Sequence, residues 1–165
     1  IEPINSFKLQ TGIIQRFLNN PANISSSSIT YLGENLLAIN TKNGFLKILN
    51  LAFNRVEFEM QLFNEINLNT KISCFSYSFN NQICYELLIG VLNVSQSQNI
   101  RYLKFLNDSE GKSDKLLLCE CKSLSVYDFL SDCEINNDGI WIVFGNNFSE
   151  GNVELRSREN ISLNM

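Results

Sequence analysis

Between residues 71 and 122 the sequence holds four short runs rich in aromatic, β-branched and aliphatic residues. Polar segments separate these runs, and the longest of them covers Asn107–Asp114. Such an arrangement is typical of strands joined by turns, and it predicts a four-stranded antiparallel sheet. The second and fourth runs contain Leu87–Ile89 and Leu116–Leu118, which do not alternate apolar with polar residues. Both faces of this sheet are therefore expected to be covered.

Further strands and turns are predicted on either side of this stretch. Thr41–Gly44 is expected to form a type I′ hairpin turn, because its Asn-Gly dipeptide accepts positive φ angles. Another turn is expected at Asn136–Gly139, after a strand at Leu124–Leu130. The segment Val56–Leu62 alternates like a strand, although nearby apolar residues also occur at helical spacing. The strand is the preferred interpretation.

The segments repeat along the chain. Turns between the second and third strands centre near Asn43, Gln96 and Phe148, at intervals of about 50 residues that are typical of propeller blades or solenoids. Stacked sheets would also cover both faces of each unit. A doubly wound α/β fold needs several crossover helices, and only the segment 53–66 is a candidate. We therefore expect an all-β fold, a β-propeller fragment of stacked four-stranded antiparallel blades.

Three motifs resemble a divergent WD40-type β-propeller. Asn137–Gly145 is similar to the Asp-Gly turn and apolar second strand of such a blade, and Thr41–Asn50 to its second turn and third strand. Phe7–Leu18 is similar to a third strand, a Thr-Gly turn and a fourth strand. The resemblance implies a half blade at 4–18 and whole blades at 28–66, 71–122 and 123–165. Because closed rings have about 4 to 8 blades, we expect one domain that belongs to a larger ring, or a ring completed by another chain.

The side chains available for chemistry are limited. The chain contains no histidine, which excludes Ser-His-Asp and Cys-His nucleophile systems and histidine-ligated metals. Some propellers are glycosidases that use two carboxylates, for which Glu57 with Glu59, or Asp128, Asp132 and Asp138, could be considered. These side chains are instead expected to be solvated charges of an outer strand and of turns. No catalytic residue, metal ligand or cofactor is predicted.

The charge distribution bears on possible partners. The formal net charge is −4, and the 13 Lys and Arg residues are scattered rather than clustered. Nucleic acid and anionic membrane surfaces are bound by a basic stripe or patch. No nucleic-acid or membrane partner is therefore predicted.

The cysteines indicate a compartment. Their number is odd and most lie in strand-like runs, so they are expected to be free, buried thiols of a reducing compartment, the cytoplasm or nucleus. The five residues are Cys74, Cys84, Cys119, Cys121 and Cys133. Several Asn-x-Ser sequons would suit the alternative, a secreted carbohydrate-active or adhesive β-propeller.

The repeated frame favours binding over chemistry, because rigid frames that present variable loops are how many binding modules work. The sequence therefore predicts a noncatalytic protein–protein interaction scaffold, a WD40-repeat-like subunit of a larger complex. Its partners would be other protein subunits or the missing blades of the same chain. The predicted partner-binding residues lie in turns that the repeat brings to one rim: Lys42, Asn43, Gln96, Gln98, Asn147 and Phe148. Apolar residues at the two ends of the stack are expected to be exposed: Ile29, Tyr31, Leu37, Ile39, Trp141, Val143, Val153 and Leu155.

Overall fold

The computed structural model describes residues 28–65, 68–95, 98–107, 116–147 and 150–157. The predicted half blade at 4–18 lies outside these residues. The described residues form strands joined by turns, and they include no helix long and apolar enough to cross a membrane. The strands are β1 (Ile29–Gly33), β2 (Leu36–Asn40), β3 (Phe45–Asn50), β4 (Arg55–Gln61), β5 (Thr70–Phe79), β6 (Gln82–Val91), β7 (Ile100–Asn107), β8 (Leu116–Leu124), β9 (Phe129–Ile135), β10 (Ile140–Asn147) and β11 (Glu150–Ser157).

The strands form three antiparallel sheets that follow the chain in order. The first sheet is β1-β2-β3-β4, the second is β5-β6-β7-β8, and the third contains β9, β10 and β11 with β10 in the middle. The second sheet lies between the other two, because β5 packs against β1 and β2 while β5 and β6 pack against β9. This stack confirms the predicted all-β fold and the architecture of a β-propeller fragment.

Strand β6 is buried on both faces. Tyr85, Leu87 and Ile89 point into the core shared with the first sheet, and Leu88 points into the core shared with the third. The prediction that both faces of this run are covered is confirmed. The same prediction is wrong for Leu116–Leu118, because β8 is the outer strand of its sheet and Leu117 is 56% exposed.

Aromatic pairs mark the two cores. The rings of Phe58 and Phe105 meet edge to face across the first and second sheets, with centroids 4.9 Å apart. In the other core the rings of Tyr102 and Trp141 lie 4.9 Å apart. Such pairs contribute about 0.5 to 1.5 kcal/mol beyond the area they bury. The two contacts hold the first and third sheets against the second sheet.

The expected exposure of the stack ends is largely wrong. Trp141 and Val143 are buried because β10 packs its apolar side chains toward the second sheet. Leu37 and Ile39 are also buried, in a small cluster with Leu49. Tyr31 is exposed, as predicted. The side chains of Val153 and Leu155 lie outside the described part of the structure.

The hairpin turn at Thr41–Gly44 is not of type I′. Gly44 N donates to Thr41 O at 2.9 Å, and within the turn only Gly44 has a positive φ, of 83°. This is a type I turn followed by a left-handed glycine. Asn136–Gly139 repeats it, with a Gly139 φ of 75°. Two-residue turns with both φ positive lie instead at Glu34–Asn35, between β1 and β2, and at Asn80–Asn81, between β5 and β6.

Two strand predictions have different outcomes. The ambiguous segment Val56–Leu62 is a strand, because Arg55–Gln61 pairs with β3 as β4. The predicted strand at Leu124–Leu130 is wrong, since Leu124 ends β8 and β9 begins only at Phe129. Hydrogen bonds to a distant side chain, that of Asn99, hold the intervening residues in a different conformation.

Candidate partner-binding edge

The carboxyl ends of β2, β6 and β10 lie at one edge of the stack, which we call the turn edge. Asn40, the last residue of β2, donates through Nδ2 to Thr70 Oγ1 at 2.9 Å, at the start of β5. Asn93, just after β6, donates through its backbone N to Leu130 O at 2.7 Å, at the start of β9. Corresponding ends of the three sheets are thus aligned. Within the third sheet, Asn146 near the end of β10 pairs with Phe129 at the start of β9.

Four of the six predicted binding residues can be placed on this edge. Lys42 is half-buried and Asn43 exposed in the β2–β3 turn, and Gln98 is exposed before β7. Asn147 is the last residue of β10, and only its backbone is described. The other two predicted residues, Gln96 and Phe148, lie outside the described residues. The fold therefore brings the backbone of the described positions to a common edge.

The base of the β2–β3 turn is fixed by direct backbone contact. Leu62 N and Phe63 N both donate to Gly44 O, at 2.7 and 3.2 Å. A Cβ at position 44 would overlap the carbonyl oxygen of Phe63. Glycine is therefore required by both space and φ. Lys42 and Asn43 project from a turn whose backbone is held in place.

A buried asparagine fixes the neighbouring turn. Asn99 is fully buried, and its side chain donates to Val126 O at 2.8 Å and accepts from Val126 N at 3.0 Å. Gln98 N also donates to Ser125 Oγ at 2.8 Å. These bonds replace strand pairing for the segment between β8 and β9. They explain why residues predicted as a strand form a bend next to Gln98.

Sequence reasoning missed Arg101, which joins the first and second sheets at this edge. Its guanidinium lies 4.4 Å from the ring centroid of Phe63, and its Nε donates to Leu62 O at 3.2 Å. A second donor of the guanidinium contacts Gln98 O. Burial lowers the pKa of Arg101, against smaller opposing effects of Cys121 and Glu65. An arginine between two apolar residues of β7 was the available signal.

A second exposed surface lies on the second sheet where the third sheet does not reach. Ser73 Oγ accepts from Ile135 N at 3.0 Å, where β9 ends, whereas β5 continues to Phe79. The uncovered part, which we call the bare face, forms a groove of about 660 Å³. Phe79 is 58% exposed there. The groove is lined by residues that include Tyr77, Phe79, Lys104, Leu106, Glu120 and Lys122.

The carboxylates considered for glycosidase chemistry are largely held by cations. Glu57 Oε1 is 2.6 Å from Arg55 Nε, and Asp132 Oδ1 is 2.6 Å from Lys71 Nζ. The exposed Glu59 lies 3.6 Å from Nζ of the half-buried Lys47 on the neighbouring strand. Across the described ranges no group of three or more His, Cys, Asp or Glu side chains could hold a metal ion.

The five cysteines are free, but they differ in exposure. Cys84 and Cys133 are buried and Cys74 is half-buried, whereas Cys119 and Cys121 are exposed on β8. The prediction that all the thiols are buried is therefore wrong for the last two, because β8 is an outer strand. Burial raises the pKa of both Cys74 and Cys133 to about 12, so these thiols are unreactive at neutral pH.

Comparison with known proteins gives a likeness of fold alone. No protein-family model matches the chain, and no curated protein sequence matches it significantly. Among solved structures, the WD40 domain of SCAP from fission yeast is 14% identical, with a TM-score of 0.47 over 87% of this chain and 34% of that chain. The fission yeast complex of SREBP–SCAP binding domains is 13% identical, with a TM-score of 0.48 over 85% of this chain and 38% of that chain.

A further similar structure is the Cps50 (Swd1) β-propeller domain of Myceliophteria thermophila, at 13% identity. Its TM-score is 0.42, over 83% of this chain and 45% of that chain. The chain thus spans 34 to 45% of the length of these matched chains. These structures are WD40 or β-propeller domains, the fold that the sequence motifs resemble.

Proposed function

We propose that this chain is a noncatalytic protein–protein interaction scaffold and a subunit of a larger complex. The observation that carries the proposal is the turn edge, where exposed polar side chains project from turns whose backbones are tied to neighbouring sheets. Gly44, Asn99 and Arg101 provide those ties. A partner that binds such an edge orders little additional backbone, so less of the interaction energy is offset by lost conformational entropy.

The side chains at this edge suit a protein partner. Lys42 carries a charged donor, and Asn43 and Gln98 carry both donors and acceptors. We propose that these residues, together with Gln96, Asn147 and Phe148, contact the partner. Other protein subunits are the partners that this surface fits, whereas further blades of the same ring would stack on the sheets at the two ends. The fission yeast structure in which SCAP and SREBP domains form a complex is a case of protein binding by a similar fold.

We also propose a cytoplasmic or nuclear location. Cys119 and Cys121 are exposed free thiols, and such thiols persist where glutathione and thioredoxin keep them reduced. Asn93 begins a sequon and is exposed, so it would be available to glycosylation in a secretory pathway. An intact-mass measurement on native material should show no glycan. A glycan on Asn93 would contradict this location.

The function is tested by isolating the native complex with variants of the chain. Replacement of Lys42, Asn43 and Gln98 by Ala should release a partner that the wild-type chain retains. Asn137→Ala with Asp138→Ala is the matched control, since these exposed turn residues lie at the opposite edge of the third sheet. That control should retain the partner.

Each outcome decides a different part of the proposal. Phe79→Ser and Leu117→Ser change residues on and beside the bare face. If only these variants lose the partner, the scaffold function stands but its binding site lies on the bare face rather than on the turn edge. Retention of every partner by both sets of variants would contradict the turn edge and the bare face alike. Circular dichroism of each variant should match the wild type, because the substituted side chains are exposed or half-buried.

A further inference from the structure

Strand β8 has an exposed outer edge. It is the last strand of the second sheet, and among the described residues no strand pairs with its outer side. Leu117 and residues 119–123 are exposed. An open edge presents unpaired N–H and C=O groups that can accept another strand. The charges of β8 indicate which strand fits this edge.

The corresponding outer strand of the first sheet, β4, carries charges that oppose self-pairing in the register centred on Phe58. Glu57 and Glu59 flank Phe58. If two copies of β4 paired antiparallel about a two-fold axis at Phe58, Glu57 of each copy would lie opposite Glu59 of the other. Like charges directly opposite each other are destabilising in a sheet. In this register the edge of β4 therefore disfavours pairing with a second copy of itself.

The charges of β8 have the opposite arrangement. Glu120 and Lys122 flank Cys121. In an antiparallel pair of β8 strands centred on Cys121, Glu120 of each copy lies opposite Lys122 of the other, and opposite charges stabilise the pair. The neighbouring symmetric registers are centred on Glu120 or Lys122 and would place two like charges opposite each other. Only the register centred on Cys121 makes β8 complementary to itself among these three.

The local geometry allows this register over a short ladder. The pairing of β8 with β7 shifts between Leu118 and Glu120, so Cys119 forms a bulge. Bulges disturb an edge and limit further pairing. The regular part of β8 begins at Glu120, and the self-complementary ladder is centred on Glu120–Lys122. Such a contact is small, so the association is expected to be weak and the dimer to form only at high protein concentration.

We propose that this chain binds a second copy of itself by antiparallel pairing of β8 with β8, in the register centred on Cys121. The second sheets of the two copies would then become continuous. Residues opposite each other in antiparallel strands have Cα atoms about 4.5 to 5.5 Å apart. This range lies within the Cα separation that a disulfide requires, about 4.4 to 6.8 Å. The two Cys121 thiols would therefore be placed for cross-linking, whereas Cys119 would not face its own counterpart.

Oxidative cross-linking tests the register. Diamide oxidises two Cys121 thiols to one disulfide and takes up the two protons and two electrons released, becoming the hydrazine. The wild-type chain and Cys119→Ser should both give a covalent dimer in a non-reducing gel, and Cys121→Ser should not. Equal cross-linking through either cysteine would indicate random collision and overturn the proposal, as would no dimer at all.

Charge reversal provides a matched control for the same contact. Glu120→Lys alone places the introduced lysine opposite Lys122 in both pairs, and should lower the rate of Cys121 cross-linking about tenfold. The double variant Glu120→Lys with Lys122→Glu restores two opposite-charge pairs and should restore the rate. A double variant that cross-links as slowly as the single one would contradict the register. Sedimentation of the reduced chains should rank the variants in the same order.

Discussion

Gly44 and Phe63 are in direct backbone contact, since Gly44 O accepts hydrogen bonds from the N of Phe63 and of Leu62 and its Cα faces the Phe63 carbonyl. A second glycine, Gly33, also has a positive φ, of 95°, but it faces open space where a Cβ would stand. Comparison of the two glycines therefore separates the free-energy cost of backbone strain from that of steric overlap.

Substitution of these two glycines by alanine gives the first prediction. Gly33→Ala should cost about 1 kcal/mol in the free energy of unfolding, the strain of alanine in a left-handed conformation. Gly44→Ala should cost at least about 2 kcal/mol more, because backbone must move to make room for the Cβ. Urea unfolding of both variants measures the difference. Equal costs would show that the contact with Phe63 is not formed.

Thiol labelling gives the second prediction. Cys119 and Cys121 are exposed, and the other three cysteines are buried or half-buried. Two thiols per chain should react with a water-soluble reagent in the native state, and five after unfolding. Cys119→Ser with Cys121→Ser should remove the native reaction entirely. Rapid reaction of Cys133 in the native state would be inconsistent with its burial where β9 packs against β6.

The buried thiols also predict a loss of stability at alkaline pH. Burial raises the pKa of Cys133 from 9.0 to about 12, and Cys74 shows the same shift. The unfolded chain therefore releases these protons first, so their stabilising contribution is complete below pH 9 and disappears as the pH approaches 12. Each thiol should lower the free energy of unfolding by about 1.4 kcal/mol per pH unit in this window.

The variant Cys74→Ala with Cys133→Ala isolates this effect. Its unfolding free energy should fall less steeply between pH 9 and 12 than that of the wild type. Burial alone would lower the pKa of Lys71, but the hydrogen bond and charge interaction with Asp132 together outweigh it, so this pKa is raised. In both proteins the stabilising contribution of Lys71 is therefore complete below pH 10.5, its ordinary pKa, and is lost as the pH rises further. Identical slopes for the two proteins would contradict the buried state of the thiols.

Asn99 provides the fourth prediction. Asn99→Ala leaves Val126 N and Val126 O without their partner, which should cost about 2 to 3 kcal/mol. Asn99→Asp keeps an acceptor for Val126 N but loses the donor. Hydrogen exchange should show faster exchange at Val126 in the alanine variant, and an intermediate rate in the aspartate variant. Unchanged exchange in the alanine variant would mean that other contacts hold the segment between β8 and β9.

The fold class could be predicted because its signals are local. The apolar strands and the turn residues of the second sheet lie close together in the sequence, and they specify a meander without long-range information. The exposure of β8 could not be predicted, because Leu116–Leu118 has the composition of a central strand and only the order of strands places it outermost. The burial of Trp141 likewise depends on which neighbour β10 faces.

The finer features of the turn edge depend on individual side chains. Thr41 Oγ1 accepts from Phe45 N at 3.2 Å and helps to hold the type I turn, although Asn-Gly is compatible with type I′. The bend at residues 125–128 depends on Asn99, which is 27 residues from Val126 in the sequence. Arg101 was missed because its position alone does not reveal the carbonyl and the ring that it contacts.

The burial of β6 between two cores has a consequence for how the molecule comes apart. The first sheet can separate from the stack by exposing one core, and the third by exposing the other. The second sheet can be released only when both cores open. Amide protons of β6 should therefore exchange only through the opening of highest free energy in the described chain. Strand β11 pairs with β10 alone among the described strands. Its amide protons should exchange through an opening of lower free energy.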